Sequence, residues 1–326
     1  MWPMDDRRPF VQPGEEDDHG TDGFPATMTD LSAYAAIGRG RPGWRGLDPG
    51  RLPRRPVGFF VAGAMWLVIL ILARPESGAW ISGKDAISYW APRLDSLYSH
   101  ADWTTVGAYV YSPAFLQLVS PLQHLPWLVF MGIWTAILML AVRFLTGARL
   151  FVAGVLLATG ELVGGNISLL LAVAIVLSFR WPAAWALILL TKVTPGIGLL
   201  WFAVRREWRN LAIALGATAA VIAISAAIMP TAWADWVAVL MHVAGRDGTW
   251  AAVPIPFIVR LPFAIAIVIW GARTDRRWTV PVACMLALPA LWYGGLTMLL
   301  ATIILKEPPP QANTSPAGVP APTTAT

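Results

Sequence analysis

Apolar runs follow one another along most of this chain, each closed by a short polar or Pro-rich turn. They fall at about 57–73, 109–124, 126–145, 147–163, 166–180, 182–203, 208–229, 252–271 and 279–305. The connecting loops are too short to hold a separate globular unit. Trp and Pro gather at the run ends, as they do at membrane interfaces. The pattern predicts an all-α integral membrane bundle of about nine spans. Several runs, among them 109–124, 147–163 and 166–180, have only 15–17 residues. That is short of the roughly 20 needed to cross about 30 Å of hydrocarbon, so tilted or re-entrant segments are expected there.

One connection departs from the plain loop pattern. Between 85 and 98, apolar residues stand at 86, 90, 94 and 97 and polar ones at 85, 88, 95 and 99. This is helical spacing with opposed faces, and it predicts an amphipathic helix on the membrane surface, kinked at Pro92. Asp85 would open it. A carboxylate there acts either as a helix cap or as a general base at the surface.

Composition sharpens the class. Apolar residues are 56% of the chain and charged residues 13%, against about 45–50% and about 25% in soluble domains. The charged positions are unevenly placed. Residues 1–50 hold an acidic run at 15–18 and many Arg, Gly and Pro, too polar to bury a core. Residues 307–326 are a second Pro- and Thr-rich tail. The expected organisation is therefore a disordered cytoplasmic tail over 1–50, a membrane domain over 51–306 and a disordered tail over 307–326. No apolar run follows Met1, so no cleavable signal peptide is expected.

The formal net charge is +5, but the arginines sit beside span ends rather than on a soluble element. They therefore point to membrane orientation and away from nucleic acid. Arginines cluster before the first span, at 205–209 after the sixth and at 273–277 after the eighth. Strict alternation of nine spans places all three clusters in the cytoplasm and puts residues 74–108 and 230–251 outside.

Two polar residues lie inside spans, where they are costly and mark functional positions. Lys192 stands mid-run, beside a Pro195-Gly196 interruption that frees backbone groups; the plain alternatives are pairing with Glu161 and snorkelling. Arg260 lies between Pro256 and Pro262. Gly164-Gly165-Asn166 forms a polar turn, and His242 sits in the second expected outer loop. Phosphate-loop, HExxH and GxGxxG patterns are absent from the sequence, and the four histidines lack metal-ligand spacing. Cys284 is the only cysteine, so an internal disulfide is excluded. No cofactor is expected.

Several elements, taken in order, resemble glycosyltransferase family 87. They are Asp85 and Tyr89 after the first span, Tyr111-Ser112-Pro113, Pro121, Leu125-Pro126, Gly165-Asn166, Lys192 to Pro195, and the basic turn Arg205-Arg206-Glu207-Trp208-Arg209. The likeness covers roughly 57–230. It implies a GT-C membrane bundle that transfers a sugar, typically mannose, from a polyprenyl-phosphate donor to a lipid or glycan acceptor. Transfer would occur with inversion on the outer face of the plasma membrane. Asp85 would be the base, and Tyr89, Arg93, Tyr111, Asn166 and Lys192 would bind substrate or donor; Arg260 and His242 join these candidates by their own positions in the eighth span and the second outer loop. A carrier of lipid-linked substrates would also use a mid-membrane lysine and a broken helix, though it has no need of an external acid. A catalytically inactive scaffold of the same fold is the third reading.

Overall fold

The computed structural model describes residues 54–73, 82–92, 97–98, 107–244 and 253–306. The tails at 1–50 and 307–326 lie outside them, as do Arg93 and the tips of both expected outer loops. Every regular element among the described residues is helical.

The helices are α1 (Arg54–Leu72), the single turn α2 (Ile87–Trp90), α3 (Pro113–Gln123), α4 (Trp127–Leu157), α5 (Thr159–Gly164) and α6 (Ser168–Ser178). A 3₁₀ turn at Pro182–Ala184 leads into α7 (Trp185–Thr191), and a 3₁₀ segment Thr194–Leu199 into α8 (Leu200–Val204). Then follow α9 (Trp208–Ile228), α10 (Pro230–Ala244), α11 (Phe257–Arg273) and α12 (Thr279–Leu286). A 3₁₀ segment Tyr293–Leu300 and α13 (Ala301–Leu305) complete the described chain.

These boundaries track the apolar runs, and the breaks have local causes. Gly147 adopts φ 64° and ψ −175° inside α4, where the sequence separates 126–145 from 147–163. Pro113 follows Ser112, whose Oγ accepts from the Phe115 amide and so caps α3. Two helices are long and apolar enough to cross a membrane by length and composition, Trp127–Leu157 and Trp208–Ile228. The second has only 17% of its apolar window buried in the protein, which suits a lipid-facing helix.

Strict alternation of nine spans does not hold. The run 182–203 leaves from and returns to the same end of the molecule. It starts just after Arg180, and its last turn sets the Trp201 ring 5.5 Å from Phe179. The run 279–305 does likewise, since Lys306 Nζ lies 5.4 Å from the Trp278 ring. Likewise, the 163–166 turn hydrogen-bonds to the 82–86 segment rather than facing away from it. The reason is length: half-helices of seven to eleven residues rise only about 10–16 Å, so they turn back inside the bundle. The outer loop expected at 230–251 also differs, because α10 occupies Pro230–Ala244.

The surface helix expected over 85–98 is reduced, within the described residues, to the turn Ile87–Trp90. Ile87, Ser88 and Tyr89 are all buried, so position 88 of the expected polar face is turned into the protein. The segment is instead docked into the bundle. Gly83 and Asp85 donate backbone hydrogen bonds to Val163 O (2.7 Å) and Gly164 O (2.9 Å), and the Ser82 hydroxyl adds one to Val163 O (3.1 Å).

Candidate functional site

Docking of this segment requires two glycines. Gly83 has φ +80°, and a Cβ there would strike the Trp127 ring at 2.7 Å. Gly165 has φ +72°, and a Cβ there would lie 2.6 Å from the Ala86 Cβ. Only glycine adopts such left-handed turns without strain and permits this approach. The Trp134 indole then donates to Gly165 O at 2.7 Å and pins the turn from below.

The two turns bring Asp85 against Asn166. The Asn166 amide nitrogen donates to Asp85 Oδ2 at 3.0 Å. Its carbonyl oxygen accepts from the Ile167 amide at 2.7 Å and the Ser168 hydroxyl at 3.2 Å, at the start of α6. These bonds orient Asn166, so its amide must face the carboxylate. Asp85 does not cap α2, which has no side-chain cap bond. Its carboxylate is directed across the chain instead, and the cap reading fails.

Lys192 arrives from a third segment. Here α7 stops with the residue in an extended conformation, φ −138° and ψ 106°, two residues before Thr194 begins the 3₁₀ segment that contains Pro195. The ammonium donates to Asn166 Oδ1 at 3.4 Å, a long bond that leaves most of its donor capacity unused. Both Asp85 and Glu161 interact with it electrostatically.

Glu161 completes the cluster, and the sequence signals it only as a lone acid within an apolar run. Its side chain is 1% exposed. One oxygen accepts from the Leu169 amide at 3.2 Å and so also caps α6; the other is buried without a hydrogen-bond partner. That second oxygen faces Gly294, where any Cβ would collide with it. Gly294 belongs to the 3₁₀ segment that returns toward the molecule's basic end, a position with no motif to reveal it.

A tyrosine-rich layer underlies Asp85. The hydroxyls of Tyr89 and Tyr111 are 3.2 Å apart, and Tyr98 donates to Tyr111 O at 2.7 Å. Gln123 holds the Tyr89 carbonyl at 2.7 Å. Tyr89 also packs against Trp134 and Phe115, with centroids 5.1 and 5.4 Å apart. Tyr89 and Tyr111 are thus placed beneath the site rather than at its open surface, with 0% and 8% exposure.

The remaining candidates lie elsewhere. Arg260 donates to three backbone carbonyls, of Ile255 (2.9 Å), Leu286 (2.6 Å) and Pro289 (2.9 Å). This is the arrangement of a side chain that fastens α12 and its following turn to α11. His242 is exposed in the last turn of α10. Arg93 lies outside the described residues.

The Asp85 carboxyl sits on the connection between α1 and α3. Burial pushes its pKa above the ordinary carboxylate value, against the opposing pull of the Asn166 hydrogen bond and the Lys192 and Lys84 charges. The cluster therefore offers a carboxylate of raised basicity, a fixed amide and a cation with spare donors, contributed by three distant segments. Such a group suits transfer between a phosphate-bearing donor and a hydroxyl acceptor.

Among known proteins, residues 109–314 match the family model of glycosyltransferase family 87. No curated protein and no solved structure matches the chain. The family match covers more than half of the sequence and includes Tyr111, Asn166, Glu161, Lys192 and Gly294, although Asp85 precedes it. The chain belongs to glycosyltransferase family 87 and is a glycosyltransferase.

Proposed function

We propose that the protein is a multi-span, GT-C-type membrane enzyme that transfers a hexose, most simply mannose, from a polyprenyl-phosphate donor to a lipid or envelope-glycan acceptor. The site faces the extracytoplasmic side of the plasma membrane. The observation that carries the reading is the Asp85–Asn166–Lys192 line, which sets a carboxylate and a cation on opposite sides of one amide.

In the reaction, the acceptor oxygen attacks the anomeric carbon while Asp85 takes the proton of that hydroxyl. The bond from the anomeric carbon to the phosphate oxygen breaks on the opposite face, so the configuration inverts. The electron pair leaves with polyprenyl phosphate. Lys192 meets the negative charge that grows on this leaving group, in surroundings where charge interactions are stronger than in water. Asn166 holds Asp85 in place, and the tyrosine layer supports the turn that carries it.

The test is Asp85→Asn in reconstituted membranes supplied with labelled polyprenyl-phosphate mannose and native lipid acceptors. Asparagine retains an oxygen to accept from Asn166 but removes the base. Transfer is expected to fall by about 10²–10⁴, the usual contribution of a general base, with donor binding retained. Transfer at near the wild-type rate would sink the mechanism. It would favour the carrier reading, in which Lys192 and the broken helix act without a carboxylate.

A further inference from the structure

The end of the molecule reached by α6, α8, α11 and α13 carries a second organised charge feature. Exposed cations there are Arg180, the arginines at 205, 206 and 209, those at 273, 276 and 277, and Lys306. They come from four separate stretches of sequence, yet contacts join them into one surface. Arg277 lies 5.4 Å from the Phe179 ring, Arg276 4.9 Å from Trp270, and Lys306 5.4 Å from Trp278. Arg205 ties the two turns together through Ala272 O at 3.2 Å and Asp275 at 2.9 Å. Both turns are set by a left-handed residue, Arg206 at φ 58° and Asp275 at φ 56°.

Two acids, Glu207 and Asp275, lie on this surface among the described residues, and both are bound by Arg205, at 2.8 and 2.9 Å. Arg206, Arg209 and Arg273 make no hydrogen bond or ion pair among the described residues. Among the described residues, these eight cations and two carboxylates already bound by Arg205 leave an excess of positive charge on the surface. Trp181, Trp208 and Trp270, exposed by 56%, 61% and 45%, rim the same surface. Above it rises the exposed apolar side of α9, with Leu215, Ile224 and Ile228. Amphipathic rings between a cationic end and an apolar wall mark headgroup depth in a bilayer.

We propose that this basic end is a binding surface for acidic phospholipid headgroups of the adjoining leaflet, with Arg206, Arg209 and Arg273 as the arginines that engage them. The inference is independent of the sugar-transfer reading, since it uses none of the residues of that site.

The protein, reconstituted in vesicles of phosphatidylglycerol and phosphatidylcholine in equal amounts, is extracted in mild detergent and its retained lipids are counted by mass spectrometry. Phosphatidylglycerol is expected in excess. R209Q/R273Q should lower that excess by about fivefold or more, since one juxtamembrane cation is worth about fivefold in binding. R209K/R273K, which preserves charge, should retain it. Equal retention of the two lipids, or an excess unchanged in R209Q/R273Q, overturns the proposal. So does an excess that appears only after Glu15, Glu16, Asp17 and Asp18 are neutralised, because the chain's own acidic run would then be the occupant.

Discussion

The proposed mechanism gives the chemistry to Asp85 and Lys192, and each is set by its neighbours. The ionised form of Asp85 is disfavoured by burial, so its pKa lies above the ordinary value of 3.8. A base works only when deprotonated, so the acidic limb of the pH–rate profile should lie above that value. Lys84, exposed and next to Asp85, pulls the other way. Lys84→Gln should therefore move the limb to higher pH, and a limb that stays put would separate Asp85 from the rate. Lys192 and Glu161 form the second coupled set. Lys192→Met should abolish most donor binding and also destabilise the fold by about 3 kcal/mol, because removing one member of a buried charged group strands the other. Adding Glu161→Gln should restore the stability but not the donor affinity, as read by thermal unfolding and donor titration. Full recovery of donor binding in the double variant would reduce Lys192 to a structural cation.

At the scale of elements, the site depends on the 163–166 turn more than on any single helix. Gly165→Ala would force a Cβ onto Ala86 in a left-handed turn, so the 82–86 segment should detach. Transfer should fall by at least tenfold while α-helix content by circular dichroism stays constant. A variant with normal activity would show that the docked position of Asp85 is not the working one. Much of this was legible in the sequence. The apolar runs locate nearly every helix, Gly147 and the Lys192–Pro195 break appear as interruptions, and Asp85, Asn166 and Lys192 stand out as polar residues in apolar surroundings. What could not be read was which face of the 85–98 segment is covered. Its helical spacing suits a surface helix and a docked turn equally, and the choice rests on backbone hydrogen bonds from Gly83 and Asp85 to residues some eighty positions away. Gly294 was hidden for a similar reason, because its role lies only in the space it leaves for Glu161. Arg260 gave the same signal as Lys192, a cation within an apolar run, and only its three carbonyl partners mark it as a fastening residue.

At the scale of the whole molecule, span counting fails where helices are short. A run of 15–17 residues reaches about 22–26 Å as a helix, against about 30 Å of hydrocarbon. Breaks at Lys192 and between α12 and the 3₁₀ segment Tyr293–Leu300 shorten the pieces further. The backbone groups freed at these breaks are tolerated because they are enclosed by protein, as the Cys284 thiol shows by donating to Pro195 O at 3.2 Å. The returning segments put residue 181 at the same end as residue 206, whereas alternation of nine spans puts them on opposite sides. Single cysteines at Trp181 and Arg206, with Cys284→Ala as background, test this in intact and in permeabilised cells with an impermeant thiol reagent. Both should be shielded in intact cells and react only after permeabilisation, while a cysteine at Lys84, on the segment that carries Asp85, should react from outside. Labelling of position 181 but not 206 in intact cells would restore the alternating scheme and would separate the 182–203 run into a full crossing. The Asp85–Asn166 bond could not then form across the bilayer, and the candidate site would lose its geometry.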